Sequence, residues 1–185
     1  MPLALAGATS GSTTLQATDA VTATLTLPSS TGTLLSTANP QSGGVIQVVS
    51  ANTATTVSTT STTLADTTLT ATITPKFSTS KILVVIDHCG CRVQPSGVAN
   101  RGAIVLLRNS TQILSLDTLI GFTATTNNNA IGSVSCNYLD SPATTSATTY
   151  KTQFALDSGG GTFYVQNTGS TGNSTSTITL MEIAA

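Results

Sequence analysis

Apolar and polar residues alternate along most of this chain, and the alternation predicts β-strands. In residues 21–27 four apolar side chains alternate with three threonines, so one face of the segment is apolar and the other carries hydroxyls. Residues 69–74 repeat the scheme. Threonine is β-branched and stiff, and it suits a pleated surface. Because helical periodicity is absent, we expect an all-β protein.

Turn-forming residues divide the rest of the chain into short strands. Gly, Asn and Pro occur at the breaks, for example in 94–97, 127–129 and 159–161, where they favour turning backbone. The run Ile82–Ile86 is continuously apolar and predicts a central strand buried on both faces. This spacing without helical crossovers is typical of an antiparallel β-sandwich or jelly roll. The further predicted strands are 45–50, 81–93, 103–109, 119–125, 130–139, 148–156, 162–166 and 175–183.

The first 44 residues differ from the remainder. They hold one charge, Asp19, and one clear strand. A single strand cannot bury its own apolar face, so Val21, Leu25 and Leu27 are expected to pack on the sandwich or on another chain. We therefore predict an extended N-terminal β-arm for assembly or attachment in residues 1–44, followed by a β-sandwich domain in 45–185.

The composition excludes several functions and favours one mode of association. Only 7% of the residues are charged and the net charge is −1, whereas soluble domains average about 25% charged residues. Six basic residues cannot neutralise a run of phosphates, so nucleic-acid binding is not expected. With 39 threonines and 22 serines, the surface is expected to be polar but nearly free of ions, which suits close packing between identical chains.

No membrane or secretory segment is expected. The chain contains no run of 18 apolar residues, so it predicts no transmembrane helix and no membrane insertion. The first basic residue is Lys76, and a secretory signal begins with a positively charged region. We therefore expect synthesis in a host cytoplasm without a signal peptide.

Several segments resemble bacteriophage tail-fibre and virion proteins. Residues 12–28 and 31–34 resemble the strand-and-turn segments of tail fibres, and residues 73–84 resemble the start of the central strand of a phage jelly-roll module. Residues 138–142, 148–151 and 176–183 extend the similarity. The resemblance implies a jelly roll like that of the tumour necrosis factor family, in a homotrimeric tail fibre or fibre tip that contributes to host attachment. It implies no catalytic residues.

The same resemblance indicates partners and a location. The expected partners are further copies of the chain, other virion proteins through the N-terminal arm, and a host-surface glycan. The expected location is the virion. A capsid decoration protein and a carbohydrate-binding adhesin module are the alternatives that the sequence leaves open.

One cluster, Asp87-His88-Cys89-Gly90-Cys91, contains potential metal ligands. On a regular strand Cys89 and Cys91 would share one face and His88 the other, so the three could bind one metal ion only across a bulge. Cys136 is the remaining thiol. We interpret the three cysteines as free thiols that pack like small apolar groups, and we predict no metal and no other cofactor. Three copies of His88 meeting on a trimer axis are the alternative metal site.

Catalysis is not expected. The single histidine lies within a predicted strand, and no Gly-x-Ser-x-Gly motif is present. The aspartates are isolated near strand ends, where they commonly form turns. The protein is therefore predicted not to be an enzyme, and any receptor contact is expected in loops at one end of the sandwich. The candidate loop residues are Asn127, Asn128, Asn129, Ser141, Pro142, Gly159 and Gly160.

Overall fold

A computed structural model describes most of the chain, in two compact units, Met1–Leu35 and Ser36–Ala185. The described residues are 3–6, 12–15, 40–94, 100–123, 130–157, 160–169 and 173–185. In the first unit, β1 (Leu3–Ala6) and β2 (Ser12–Leu15) form an antiparallel pair. The arm residues Val21, Leu25 and Leu27 lie outside the described residues, and the assembly role of residues 1–44 stays a prediction.

The described residues of the second unit form ten strands that pair antiparallel, which confirms the predicted all-β, antiparallel sandwich. The described residues contain no helix long and apolar enough to cross a membrane. The strands are β3 (Val45–Thr53), β4 (Val57–Thr59), β5 (Ala65–Ile73), β6 (Lys81–Gln94), β7 (Asn100–Arg108), β8 (Thr111–Thr123), β9 (Ala130–Asp140), β10 (Thr148–Leu156), β11 (Thr162–Val165) and β12 (Ser176–Ile183).

These strands form two sheets. The larger sheet has the order β3-β12-β6-β11-β4, and β9 pairs with β6 as well. The smaller sheet has the order β5-β10-β7-β8. Strand β6 is the longest, with 14 residues, and it pairs with β12 along its first half, with β11 near its end and with β9 on its other edge. It therefore organises the larger sheet.

The side chains between the two sheets form two core clusters. The first contains Leu69, Ala71, Ile73, Ile82, Val84, Ile86, Leu106, Tyr150, Ile178 and Leu180. The second contains Cys91, Val93, Ile104, Ile120, Val134, Phe154, Leu156, Phe163 and Val165. Both draw on β6, β7 and β10, so the same strands hold both ends of the core together.

The structure corrects one prediction about β6. Ile82, Val84 and Ile86 are buried, but Leu83 and Val85 between them are only half-buried. They lie on the outer face of the larger sheet, the face that points away from the smaller sheet. The run is thus buried on one face only.

Candidate functional site

The structure separates the predicted receptor-contact residues that it describes. Ser141 and Pro142 follow β9, whose last residue, Asp140, pairs with Ile82 at the start of β6. Gly160 precedes β11, which pairs with the far end of β6. These loops therefore lie at opposite ends of the sandwich, contrary to the expectation of a single end. Asn127, Asn128, Asn129 and Gly159 lie outside the described residues.

A bulge interrupts β6 in the cluster that contains the potential metal ligands. The register between β6 and β9 shifts between His88 and Cys91, and Gly90 has a φ of +63°. The bulge carbonyls of Cys89 and Gly90 accept hydrogen bonds from the backbone N–H groups of Gln166 and Asn167, at 3.1 and 3.0 Å. The segment after β11 thus stabilises the bulge conformation through these two backbone hydrogen bonds.

The bulge overturns the predicted arrangement of the two cysteines. Cys91 is fully buried in the second core cluster, whereas Cys89 is half-buried on the outer side of β6. The two thiols therefore lie on opposite faces. His88 and Cys91, predicted to lie on opposite faces, both point inward.

His88 occupies the centre of a buried polar network between the two sheets. Its Nε2 lies 2.8 Å from Thr152 Oγ1 on β10, and that hydroxyl lies 2.5 Å from Thr67 Oγ1 on β5. Its Nδ1 lies 3.3 Å from the side-chain amide of Gln166. These side chains are all fully buried. The network therefore links β6 of the larger sheet to β5 and β10 of the smaller one.

The Gln166 amide extends this network along the larger sheet. In the orientation that satisfies both amide atoms, its oxygen accepts from Ser176 Oγ at 2.8 Å and its nitrogen donates to the Thr55 carbonyl at 3.1 Å. The Gln166 amide oxygen then faces His88 Nδ1. Nδ1 therefore carries the ring proton and donates it to that oxygen, and Nε2 accepts a hydrogen bond from the Thr152 hydroxyl. Ser176 Oγ in turn accepts the backbone N–H of Cys89 at 3.0 Å.

Burial keeps this histidine neutral. It lowers the pKa of His88 from 6.5 to about 4, although the negative charge of Asp87 acts in the opposite direction. A histidine beside a threonine hydroxyl resembles a base with its nucleophile. Both side chains are fully buried, however, so no substrate can reach the pair. His88 therefore acts as a neutral side chain that links the two sheets by hydrogen bonds.

The same geometry disfavours metal binding here. No group of three or more His, Cys, Asp or Glu side chains within the described part of the chain is placed to hold a metal ion. Burial raises the pKa of the Cys91 thiol to about 12 and that of Cys136 above its usual value, which opposes thiolate formation. The alternative of three His88 side chains on a trimer axis is wrong, because His88 is enclosed within its own subunit.

A second buried polar group joins the sheets at the other end of β6. Asp140, 5% exposed, receives hydrogen bonds from Arg108 Nη1 at 2.9 and 3.0 Å to its two oxygens, and from the Tyr150 hydroxyl at 2.6 Å. Burial and the neighbouring carboxylate raise the pKa of Tyr150, so its hydroxyl keeps the proton that it donates. Sequence analysis assigned Asp140 only a turn role and so missed this contact.

A small cleft opens on the smaller sheet where β5 bulges against β10. Its volume is about 120 Å³. The register shifts between Lys151 and Gln153, and Thr68 opposite has a φ of +68°, which is strained for a β-branched residue. Asp66 accepts hydrogen bonds from Lys151 Nζ at 3.0 Å and Gln153 Nε2 at 2.8 Å, which lower its pKa. The lining residues are Asp66, Thr68, Leu69, Thr70, Lys151 and Thr152.

The cleft is a polar site that the sequence did not indicate. Alternation in residues 69–74 placed Thr70 on the solvent-facing side, which is correct, but the predicted strand began at residue 69 and did not include Asp66 or Thr68. The bulge in β5 that opens the space has no sequence signal, because neither Gly nor Pro occurs there. The exposed carboxylate, ammonium and hydroxyl groups can exchange hydrogen bonds with a small polar ligand.

Comparisons with known proteins add little to this description. No protein-family model matches the chain. No curated protein matches it. Among solved structures, the chain is similar to a chain in the structure of infectious bursal disease virus, Gx strain, with 13% sequence identity and a TM-score of 0.38. The match covers 100% of this chain and 46% of that longer chain. At this TM-score the similarity carries no functional conclusion.

Proposed function

We propose that this protein is a structural component of a virion that works by packing against copies of itself. The finer form of the proposal is a short homotrimeric tail fibre or fibre tip of a bacteriophage, joined to other virion proteins by residues 1–44 and contributing to host attachment. A capsid decoration protein is the alternative placement within the particle.

One observation carries this proposal: the near absence of ions on a β-sandwich surface. The chain has 13 charged side chains in 185 residues, six basic and seven acidic. Several of these are used within the fold, since Asp66, Asp140 and Asp157 form ion pairs with Lys151, Arg108 and Arg101. Meanwhile Val45, Val48, Leu119 and Leu139 are 50–58% exposed. Such a surface buries little charge when it meets another subunit, so association costs little desolvation energy.

The decisive experiment locates the protein in purified particles. We expect antibody labelling and cryo-electron microscopy to find it at the tail tip, with three copies per fibre. Deleting residues 1–44 should abolish incorporation while circular dichroism still reports the β-sandwich. Absence of the protein from particles would refute the virion role, and normal incorporation of the shortened chain would refute the role of the arm.

The cleft at Asp66 favours a second candidate, a carbohydrate-binding attachment module. A carboxylate, an ammonium group and threonine hydroxyls around a small depression match the hydroxyl groups of one sugar unit. We expect a glycan array to return hits that the substitution Asp66→Ala removes. The matched control Asp117→Ala, also an exposed aspartate on a strand, should keep them. An array without hits would reject this candidate and leave the structural role in place.

A further inference from the structure

An apolar row crosses the outer face of the larger sheet. The strand registers place four residues side by side on β3, β12, β6 and β9: Val48 pairs with Met181, Met181 with Leu83, and Leu83 with Leu139. Val48 is 56% exposed and Leu139 50% exposed. Single exposed apolar residues are ordinary, but a contiguous row across four strands indicates a contact surface.

The charges on this face have a simple arrangement. Arg92, beyond the bulge in β6, lies over the Tyr164 ring of β11. Among the other described outward-facing residues of β3, β12, β6 and β9, only Lys81 and Asp87 are charged. Both belong to β6, with Leu83 and Val85 between them. Six residues of extended strand separate the two charges by about 20 Å. A hydrogen bond of 2.8 Å from Ser135 Oγ holds the Asp87 carboxylate on this face.

We propose that this face binds a second copy of the chain across a two-fold axis that runs perpendicular to β6. The two β6 strands then lie antiparallel, face to face. Lys81 of each copy lies opposite Asp87 of the other, and Leu83 lies opposite Val85 of the other. The residues around these contacts are Val48, Met181 and Leu139. The interface is isologous, because the same patch serves both subunits.

Charge complementarity is the reason for choosing a second copy. An acidic partner would place negative charge opposite Asp87, and a basic partner would place positive charge opposite Lys81. A second copy related by the two-fold axis instead places Asp87 opposite Lys81 and Lys81 opposite Asp87. The alternative two-fold axis, parallel to β6, would bring each charge against its own equivalent, and like charges in contact are costly. Aligned sheets pack at about 30° to each other, and the long lysine side chain spans the resulting offset.

This inference deepens the self-association part of the proposed function and rests on it. A two-fold contact forms a dimer when it acts alone, and it joins two trimers when the three-fold contacts lie elsewhere. In both cases the isolated assembly contains an even number of chains, and in the second case each of the two joined trimers keeps its three copies. The contact makes no claim about the virion, so its test is separate from the search for the protein in particles.

Charge reversal in the full-length protein tests the pairing directly. We expect multi-angle light scattering and sedimentation to give an even number of chains for the wild type. Lys81→Asp and Asp87→Lys should each weaken association at least about tenfold, because each reversal sets like charges opposite each other. The double variant restores opposite charges and should recover the wild-type assembly. Failure of the double variant to recover would overturn the arrangement.

Apolar substitutions test the face itself. Leu139→Asp should halve the assembly mass, because it introduces a charge into the contact. Leu119→Asp is the matched control, since Leu119 is 58% exposed on β8 of the smaller sheet, and it should leave the mass unchanged. Circular dichroism verifies that both variants are folded.

Three results would overturn the proposal. The first is a wild-type monomer or an isolated trimer, which excludes a two-fold contact. The second is an assembly mass that Leu139→Asp does not change, as expected if residues 1–44 or another protein cover the face. The third is equal dissociation by the Leu119→Asp control. A monomer would also refute the self-association on which the proposed function depends, whereas an even-numbered assembly unaffected by Leu139→Asp would refute only the choice of surface.

Discussion

At the residue scale, His88 makes the fold sensitive to acid. It is enclosed between the two core clusters, and its ring is bonded to neutral side chains, Thr152 and Gln166. The neighbouring ionisable side chains are Asp87, on the outer face of the same strand, and Cys91, whose thiol stays protonated because burial raises its pKa. Because no carboxylate enters the network, a proton on the ring has no counter-ion there.

We therefore predict that stability falls between pH 6.5 and about pH 4. The folded-state pKa of His88, about 4, lies below its usual 6.5, so the unfolded chain binds the proton more readily. Lowering the pH through this window favours unfolding, by about 3 kcal/mol in total, and the loss is complete below the folded pKa. Urea unfolding across the window measures it.

The variant His88→Gln supplies the control, because glutamine keeps hydrogen-bonding groups but does not titrate. Its stability should be nearly constant over the same window, whatever its absolute value. Asp66 and Glu182 also have lowered pKa values, but their contributions are lost only as the pH falls below their usual values of 3.8 and 4.5. An equal acid loss in wild type and variant would contradict the assignment to His88.

The second residue-scale prediction concerns Asp140. The substitution Asp140→Asn removes the charge that Arg108 and Tyr150 share, and it should destabilise the fold by about 2–3 kcal/mol, because Arg108 is left partly buried without its partner. Asp157→Asn breaks a more exposed pair with Arg101 and should cost less than about 1 kcal/mol. Chemical unfolding measures the loss of unfolding free energy in each variant. Similar losses would show that the buried ion pair stabilises the fold no more than the exposed one.

At the element scale, the bulge in β6 determines which side chains enter the core. Gly90 has a positive φ, and a Cβ there would meet the Asn167 backbone nitrogen at 2.6 Å. We predict that Gly90→Ala destabilises the protein by at least about 2 kcal/mol, from the backbone conformation and the clash together. Gly132→Ala, on β9, is the control, because a Cβ there meets nothing within 4 Å. Thermal unfolding compares the two variants, and equal destabilisation by both would contradict the role assigned to the bulge.

The bulge in β6 was not predictable from the alternation of side chains, although several regular strands were. Alternation predicted β9, β10 and β12 to within about one residue at either end, because one face of each is apolar and the other polar. It missed the first part of β8, Thr111–Thr118, where several register shifts against β7 break the period of two. It also missed β4, whose three residues are too short to show a period.

The candidate sites were less predictable than the strands. Sequence analysis singled out His88 and the cysteines, but their facing depended on an extra residue at Gly90 that alternation does not reveal. The cleft at Asp66 depends on a strained Thr68 and on a bulge in β5, a strand that contains neither Gly nor Pro. Strand pairing creates both features, and pairing between distant segments is invisible to local periodicity.

At the scale of the whole molecule, the two core clusters are not independent. β6 contributes Ile82, Val84 and Ile86 to the first and Cys91 and Val93 to the second. β10 likewise supplies Tyr150 to one and Phe154 to the other. Unfolding of either cluster would expose apolar side chains of these shared strands, and the His88 network would lose hydrogen-bond partners in both sheets.

We therefore predict that residues 40–185 unfold as one cooperative unit. Native-state hydrogen exchange should give the same opening free energy for the amides of Ile86 and Val93, in the first and second clusters, because β6 must separate as a whole. Short strands at the sheet edge, such as β4 (Val57–Thr59), should exchange at lower free energy by local fraying. Distinct free energies for Ile86 and Val93 would mean that the bulge divides β6 into two separately unfolding halves.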